Sequence, residues 1–477
     1  MNRLYKKWSN MHAAGKASIV FFLSSFIIKG IAFIVTPIFT RIMTSDQYGL
    51  VATYGSWTSI IEVFALLGLT SAGVFNVGLN DHKEDRNQFI STIIILCNIT
   101  TCIAFGAIFL IKRTYGDIFQ LPDIFWVYMF LQMFFGPSQV FWITRQRYEY
   151  KYVLPFIVTI VSNIIAQSVA IFAILGLPEF SQATVRISAN TLVLLVFQIP
   201  IYIMLLVKGE RIVDLRIWKT TLLFAIPLIP HYLAQHVMAS SDRIMISQLS
   251  STTGVAIYSV VVNISMISTI IWNAINGSLI PYTYEKISDN KGKEVNKIVL
   301  PILLGYALMC VGVTLIAPEV LRILAPKEYY SGIYAVPPIA ATAFISALYN
   351  IYANIEFLHK KSWWISIATI ASAIVNIGLN YLFIPKYGYI AAAYTTLISN
   401  AVLILMHYMG YRLFHKERIY NDTGILIISI SAIVICELCN LLYTNNLVRY
   451  FVLISIFVIV VTNRKYIIAQ YKLLSRK

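Results

Sequence analysis

Apolar runs alternate with short polar turns from one end of the chain to the other. Each run holds about 20 residues, the length an α-helix needs to cross a bilayer, whereas barrel strands would alternate over about 10. The first six lie at roughly 17–40, 50–78, 89–111, 123–144, 153–177 and 184–207. The next six lie at roughly 220–249, 254–280, 298–317, 332–358, 363–384 and 388–411, with two more at roughly 423–442 and 446–462. The pattern predicts an all-α integral membrane protein with about fourteen transmembrane helices.

Charge orients these helices. Basic residues gather at Arg145, Arg147 and Lys151; at Lys208, Arg211, Arg216 and Lys219; at Lys286, Lys291, Lys293 and Lys297; and at Arg412, Lys416 and Arg418. With a cytoplasmic N-terminus, about 27 of the 37 Lys and Arg fall on the inner side, the asymmetry seen in cytoplasmic loops. One missed or invented span would scramble that alternation, so both termini are expected in the cytoplasm. The net charge of +16 thus marks topology, and no soluble domain exists to hold a nucleic acid. Charged residues make up only 12% of the chain, about half the share in a soluble protein. The first run carries no small-residue cleavage site and is expected to be a retained helix.

Short loops and the absence of a G-x-x-x-x-G-K-[ST] motif argue against an ATPase domain or any enzymatic site. Cys97, Cys102, Cys310, Cys436 and Cys439 all fall inside apolar runs. They read as small packing residues, and no metal site is expected.

An internal echo divides the chain. "TRIMTSDQYG" (Thr40 to Gly49) returns as "DRIMISQLSSTTG" (Asp242 to Gly254), six spans later and therefore in the same membrane orientation. "TIVSNIIAQ" (Thr159 to Gln167) and "TIASAIVNI" (Thr369 to Ile377) keep a similar offset. So do the aromatic and basic loops "RQRYEYKY" (Arg145 to Tyr152) and "HKKSWW" (His359 to Trp364). We expect two pseudo-symmetric six-helix lobes, 1–218 and 219–420, with two extra helices and a cytoplasmic tail over 421–477.

Ionisable residues deep inside a span are expensive unless they face protein or water, so each is a candidate for function. Lys29 and Glu62 lie at similar depth on consecutive antiparallel spans. They read either as a structural ion pair or as a cavity site, with Lys29 meeting an anion and Glu62 exchanging a coupling cation. Span 7 carries Pro227 and Pro230, then His231, Gln235, His236, Asp242 and Arg243. Its prolines predict a bend, and its two polar faces predict a cavity lining. Arg243 beside Asp242 reads as a local pair or as a substrate contact. Asn273 and Asn276 on span 8 suit hydrogen bonding to sugar, and Glu356 on span 10 joins Glu62 and Asp242 as an ion-coupling candidate. Spans 13 and 14 carry few polar residues apart from Glu437 and read as a peripheral appendage.

"PLIPHYLAQHVMASSDRIMISQLSSTTGVAIYS", "NIGLNYLFIPKYGYIAAAYTT" and "PIFTRIMTSDQYGLVATY" together resemble the bacterial polysaccharide flippases of the Wzx type. These O-antigen and capsule-unit translocases belong to the multidrug/oligosaccharidyl-lipid/polysaccharide (MOP) exporter superfamily. The resemblance covers roughly residues 15–413 and implies a two-lobed, non-enzymatic transporter of the bacterial inner membrane. Its implied substrate is an undecaprenyl-diphosphate-linked oligosaccharide, flipped from the inner to the outer leaflet by alternating access. It implies no resident cofactor, a coupling ion (H+ or Na+), and contact with membrane lipids, a polysaccharide polymerase and a chain-length regulator. The family's cationic cavity matches Lys29 and Arg243.

Two rivals remain. A drug efflux pump of the same superfamily would favour carboxylates over Lys and Arg in its cavity. A polysaccharide polymerase would carry a large Arg-rich outer loop, and every outer loop here is short.

Overall fold

The computed structural model describes residues 13–463 except Lys83, Glu84, Glu210 and Lys416. Both predicted cytoplasmic tails, and Lys416 of the last basic cluster, lie outside the described residues. No strand occurs among the described residues, and eleven helices are long and apolar enough to cross a membrane. One of the eleven, Trp363–Phe414, holds two expected spans in a single run. The helices Ala13–Ile42 and Asn446–Thr462 occupy the first and last expected positions.

Residues 1–236 and 237–477 form two compact units, and the division falls inside the seventh span. In the first unit the helices are α1 (Ala13–Ile42), α2 (Ser45–Leu66), α3 (Ala72–Asp81), α4 (Arg86–Tyr115), α5 (Asp123–Tyr148), α6 (Val153–Gly176) and α7 (Gln182–Lys208). α7 packs against α5 and α6, α1 against α6, and α2 against α4. The core they enclose is aromatic: Phe75 stacks on Phe141, while Trp57 and Trp126 meet Phe119 edge-on. Their outer surfaces are apolar as well, with Phe172 73% exposed, which suits a lipid solvent.

The second expected span is not one helix. α2 stops at Leu66, and Leu67 and Gly68 turn through positive φ (49° and 69°) before α3 begins. A Cβ at Gly68 would also lie 2.8 Å from the Tyr232 ring, so this break needs glycine on two counts. Apolar periodicity continues through the break, which is why the run reads as unbroken.

The seventh span also breaks, here where the prolines predict it. α8 (Leu215–Ala225) passes through a 3-10 turn, Ile226–Leu228, into α9 (Ile229–Leu249). Pro227 removes a backbone donor, and the tighter turn absorbs the loss.

In the second unit α10 (Thr252–Ser288) and α11 (Lys293–Leu324) pack together, and α12 (Val336–Leu358) packs on α13 (Ser362–Phe414). α13 changes direction at Gly388 (φ 59°, ψ −145°), giving a first arm over 362–387 and a second over 389–414. Tyrosines dominate this core, with Tyr352 in ring contact with Tyr408, Tyr411 and Tyr420. Cys310, Cys436 and Cys439 are free thiols buried within it.

α14 (Asp422–Leu438) and α15 (Asn446–Thr462) close the chain, and both pack on α11. α15 is held more firmly than an appendage would be. Arg449, 1% exposed, is ion-paired with Glu319 of α11, and the Tyr450 hydroxyl donates to the same carboxylate at 2.7 Å. Removing one partner of a buried pair strands the other charge. Arg449→Ala is therefore expected to cost about 3 kcal/mol of stability, read as a lower unfolding temperature of the detergent-solubilised protein.

The two echoed turns share their local construction. Arg41 Nη1 donates to the Pro37 carbonyl at 2.8 Å, and Arg243 Nη1 donates to the Ala239 carbonyl at 3.2 Å, each one helical turn back. Thr44 then caps α2 by accepting from the Gln47 amide, and Ser251 caps α10 by accepting from the Gly254 amide. In the first unit the turn is further clamped. The Gln182 side chain donates to the Ile42 carbonyl and accepts from the Thr44 amide, while Arg186 lies 3.6 Å over the Phe39 ring.

Candidate functional site

The densest buried polar cluster described surrounds Asp242, on α9 in the second unit. The side chain is 5% exposed and accepts from four neutral donors. Tyr258 of α10 donates to Oδ2 at 2.5 Å, and Thr396 of the second arm of α13 donates to it at 2.6 Å. Asn380 and Asn376 of the first arm donate to Oδ1 at 2.8 and 3.3 Å. A carboxylate so buried can keep its charge only with such a full set of partners.

A second layer holds those partners. The Asn376 carbonyl accepts from Ser241 at 2.8 Å and from Asn380 at 3.2 Å. Thr395 donates to the Asn380 carbonyl, and the Asn376 amide also donates to Thr396 at 3.1 Å. Local geometry explains the placement. Asn376 and Asn380 stand four residues apart on one helical face, and the bend at Gly388 folds Thr395 and Thr396 back beside them. The site thus offers one carboxylate oxygen pair, two carboxamide oxygens and four hydroxyls, those of Ser241, Tyr258, Thr395 and Thr396.

Asp242 and Arg243 do not form the local pair that adjacency suggests. Consecutive helical residues point about 100° apart. Arg243 turns to Ser259 instead, donating at 3.0 Å.

In the first unit Lys29 and Glu62 are each half-buried, and no ion pair joins them. Residue counting places two groups at one depth, but it does not set the azimuth of either helix. Lys29, Glu62, Gln235 and His236 make no hydrogen bond or ion pair with any described residue, and nor does Asn273 in the second unit. His231 Nδ1 is buried without a partner among the described residues. Asn276 accepts from Asn354 at 2.9 Å. Glu356 is fully buried and bound to His407, with His407 Nδ1 2.7 Å from Glu356 Oε2.

Sequence reasoning missed Tyr258, Asn376, Asn380, Thr395, Thr396 and His407. The Asn-x-x-x-Asn spacing inside an apolar run was the one available signal for the first cluster, since it sets two amides on one face of a buried helix.

A bundle of membrane-length helices with charged groups held inside its spans defines the class, and comparison with known proteins refines it. Residues 14–286 match the model of the family described as polysaccharide biosynthesis protein. The chain belongs to that family. A curated relative, a protein of the Lsg locus of Haemophilus influenzae, is 25% identical over 156 residues, 32% of this chain and 39% of the relative. The match thus spans about two fifths of that relative's length.

Solved structures share the fold. A lipid II flippase, MurJ, in an inward closed conformation aligns with TM-score 0.70 at 13% identity, over 94% of this chain and 100% of its own. A multidrug resistance MATE transporter of the MOP superfamily, facing inward, aligns with TM-score 0.56 at 14% identity, over 80% of this chain and 97% of its own. The protein is a multi-pass membrane protein of the polysaccharide biosynthesis family, with the fold these solved transporters share.

Proposed function

We propose that this protein flips undecaprenyl-diphosphate-linked polysaccharide repeat units from the cytoplasmic to the outer leaflet of the bacterial inner membrane by alternating access. The observation that carries this reading is membership in the polysaccharide biosynthesis family. A fold shared over nearly the whole chain with a lipid II flippase supports it. Lys29 in the first unit and Arg243 in the second are each suited to meet a diphosphate oxygen through a charge-assisted hydrogen bond. The unpartnered side chains of Gln235, His236 and Asn273, with His231 and Asn276 near them in sequence, would serve the sugars. A polysaccharide polymerase and a chain-length regulator would take up the exported unit.

Transport is coupled to a cation, H+ or Na+, with Asp242 as its primary seat. One carboxylate among neutral carboxamide and hydroxyl oxygens suits a single positive charge and supplies too little negative charge for a divalent ion. Glu62 is the corresponding candidate in the first unit.

A deletion strain tests the assignment. It should lose surface glycan, accumulate lipid-linked oligosaccharide in the inner membrane, and recover both on complementation. A deletion strain with normal surface glycan would overturn the reading, and heightened sensitivity to cationic drugs in that strain would move the protein to drug efflux.

A further inference from the structure

Two imidazole-containing pairs bridge the C-terminal ends of α12 and the second arm of α13. The inner one is Glu356 with His407, both fully buried and 2.7 Å apart. The outer one is His359 Nε2 with His415 Nδ1, 2.8 Å apart, on the half-buried caps that end the two helices. Along α12 the pairs are three residues apart, and along α13 eight, so they occupy one continuous face between the same two helices.

Three polar atoms along this face have no partner among the described residues: Glu356 Oε1, His407 Nε2 and His415 Nε2. Buried polar atoms are nearly always satisfied, so three in a row need a reason. The packing around the carboxylate is tight. A Cβ on Gly410 would lie 2.2 Å from Glu356 Oε1 and 2.3 Å from Trp364 Nε1, so the glycine lets the second arm of α13 close directly on the pair. The indole of Trp364 instead donates to the Met406 carbonyl at 3.0 Å and leaves the carboxylate unengaged.

We propose that Glu356 and His407 together bind one exchangeable proton, and that His359 and His415 relay it to the cytoplasmic ends of α12 and α13. Without the proton the pair carries one negative charge, and with it the pair is neutral whichever atom holds it. A dry site favours the neutral form strongly, so the proton leaves only when water or the histidine relay reaches the pair. Few other ionisable groups face the four. The Tyr349 ring lies 4.9 Å from that of His407, Tyr411 stacks on His415, and Glu417 stands beside His415. Lys361 sits over the Phe414 ring, and Asp422 of α14 is engaged with Tyr408 and Arg412. Burial, and then the neighbouring His359, hold the His415 imidazole below its ordinary pKa, which keeps it neutral at neutral pH, with one ring nitrogen to accept and one to donate, so that it passes a proton on without retaining it.

The cytoplasmic direction, and the use of the proton in transport, rest on the flippase reading; the proton site itself does not. The test is proton release into an indicator dye when micelle-bound protein is shifted from mildly acidic to mildly alkaline buffer. Glu356→Gln should release one proton fewer per chain than wild type, and His407→Asn should show the same deficit. The double variant His359→Asn/His415→Asn, at half-buried helix caps, should release the inner proton at least about tenfold more slowly while keeping the wild-type unfolding temperature. Equal proton counts in wild type and Glu356→Gln overturn the site, and an unchanged release rate in the double variant overturns the relay. A one-proton deficit in a protein whose deletion leaves surface glycan intact overturns the flippase reading alone.

Discussion

Asp242→Ala is expected to abolish export and to destabilise the second unit at the same time. The substitution strands four buried donors at once, those of Tyr258, Asn376, Asn380 and Thr396. Each stranded donor costs about 1–3 kcal/mol, so a loss of several kcal/mol is expected even after local repacking. Asp242→Asn separates the two effects. The amide keeps one acceptor oxygen, so roughly half of the bonds survive and the protein still folds. Its neutral head cannot hold a cation, so the ion dependence of export should vanish. Unfolding temperature measured in sodium against choline salt, beside glycan export in cells, reads both. Wild-type export by Asp242→Asn would remove this residue from coupling.

Lys29→Ala should do the reverse, ending export while leaving stability untouched. Lys29 has no described hydrogen-bond or ion-pair partner to lose, so truncation strands no charge and leaves the unfolding temperature where it was. Its ammonium is free to meet an anion, and a hydrogen bond to a charged group contributes about 1.5–3 kcal/mol. Losing it should weaken substrate capture by about tenfold or more. Lys29→Arg keeps the charge and should retain most of the export. Normal export by Lys29→Ala, at normal protein level, would exclude it from substrate binding.

These contrasting expectations show what periodicity and charge can and cannot reveal. Helix class, span order and basic loops are short-range properties, and the apolar runs display them directly. The Pro227 bend was equally plain, because proline acts on its own backbone. The break at Leu67 and Gly68 was hidden, since both sides of it are apolar and the turn is shaped by contact with Tyr232. The Asp242 cluster was hidden for another reason. Its partners Asn376, Asn380 and Thr396 come from 134 to 154 residues downstream. Nothing local marks an Asn as the partner of a distant Asp. Arg449 illustrates the same limit: seen alone near the start of an apolar run it looks like an interfacial anchor, and only the fold delivers Glu319 to it.

The duplicated turns carry a last consequence. They keep the same arginine back-bond and the same hydroxyl cap, yet the position that is Asp242 in one is Thr40 in the other, whose hydroxyl donates to the Pro37 carbonyl one turn back at 3.4 Å. Backbone kinship has outlived chemical kinship. Under the proposed coupling, Asp242 would seat its cation at a position the other copy of the turn leaves neutral, so a counterpart in the first unit has to come from elsewhere in the chain, as Glu62 on α2 would.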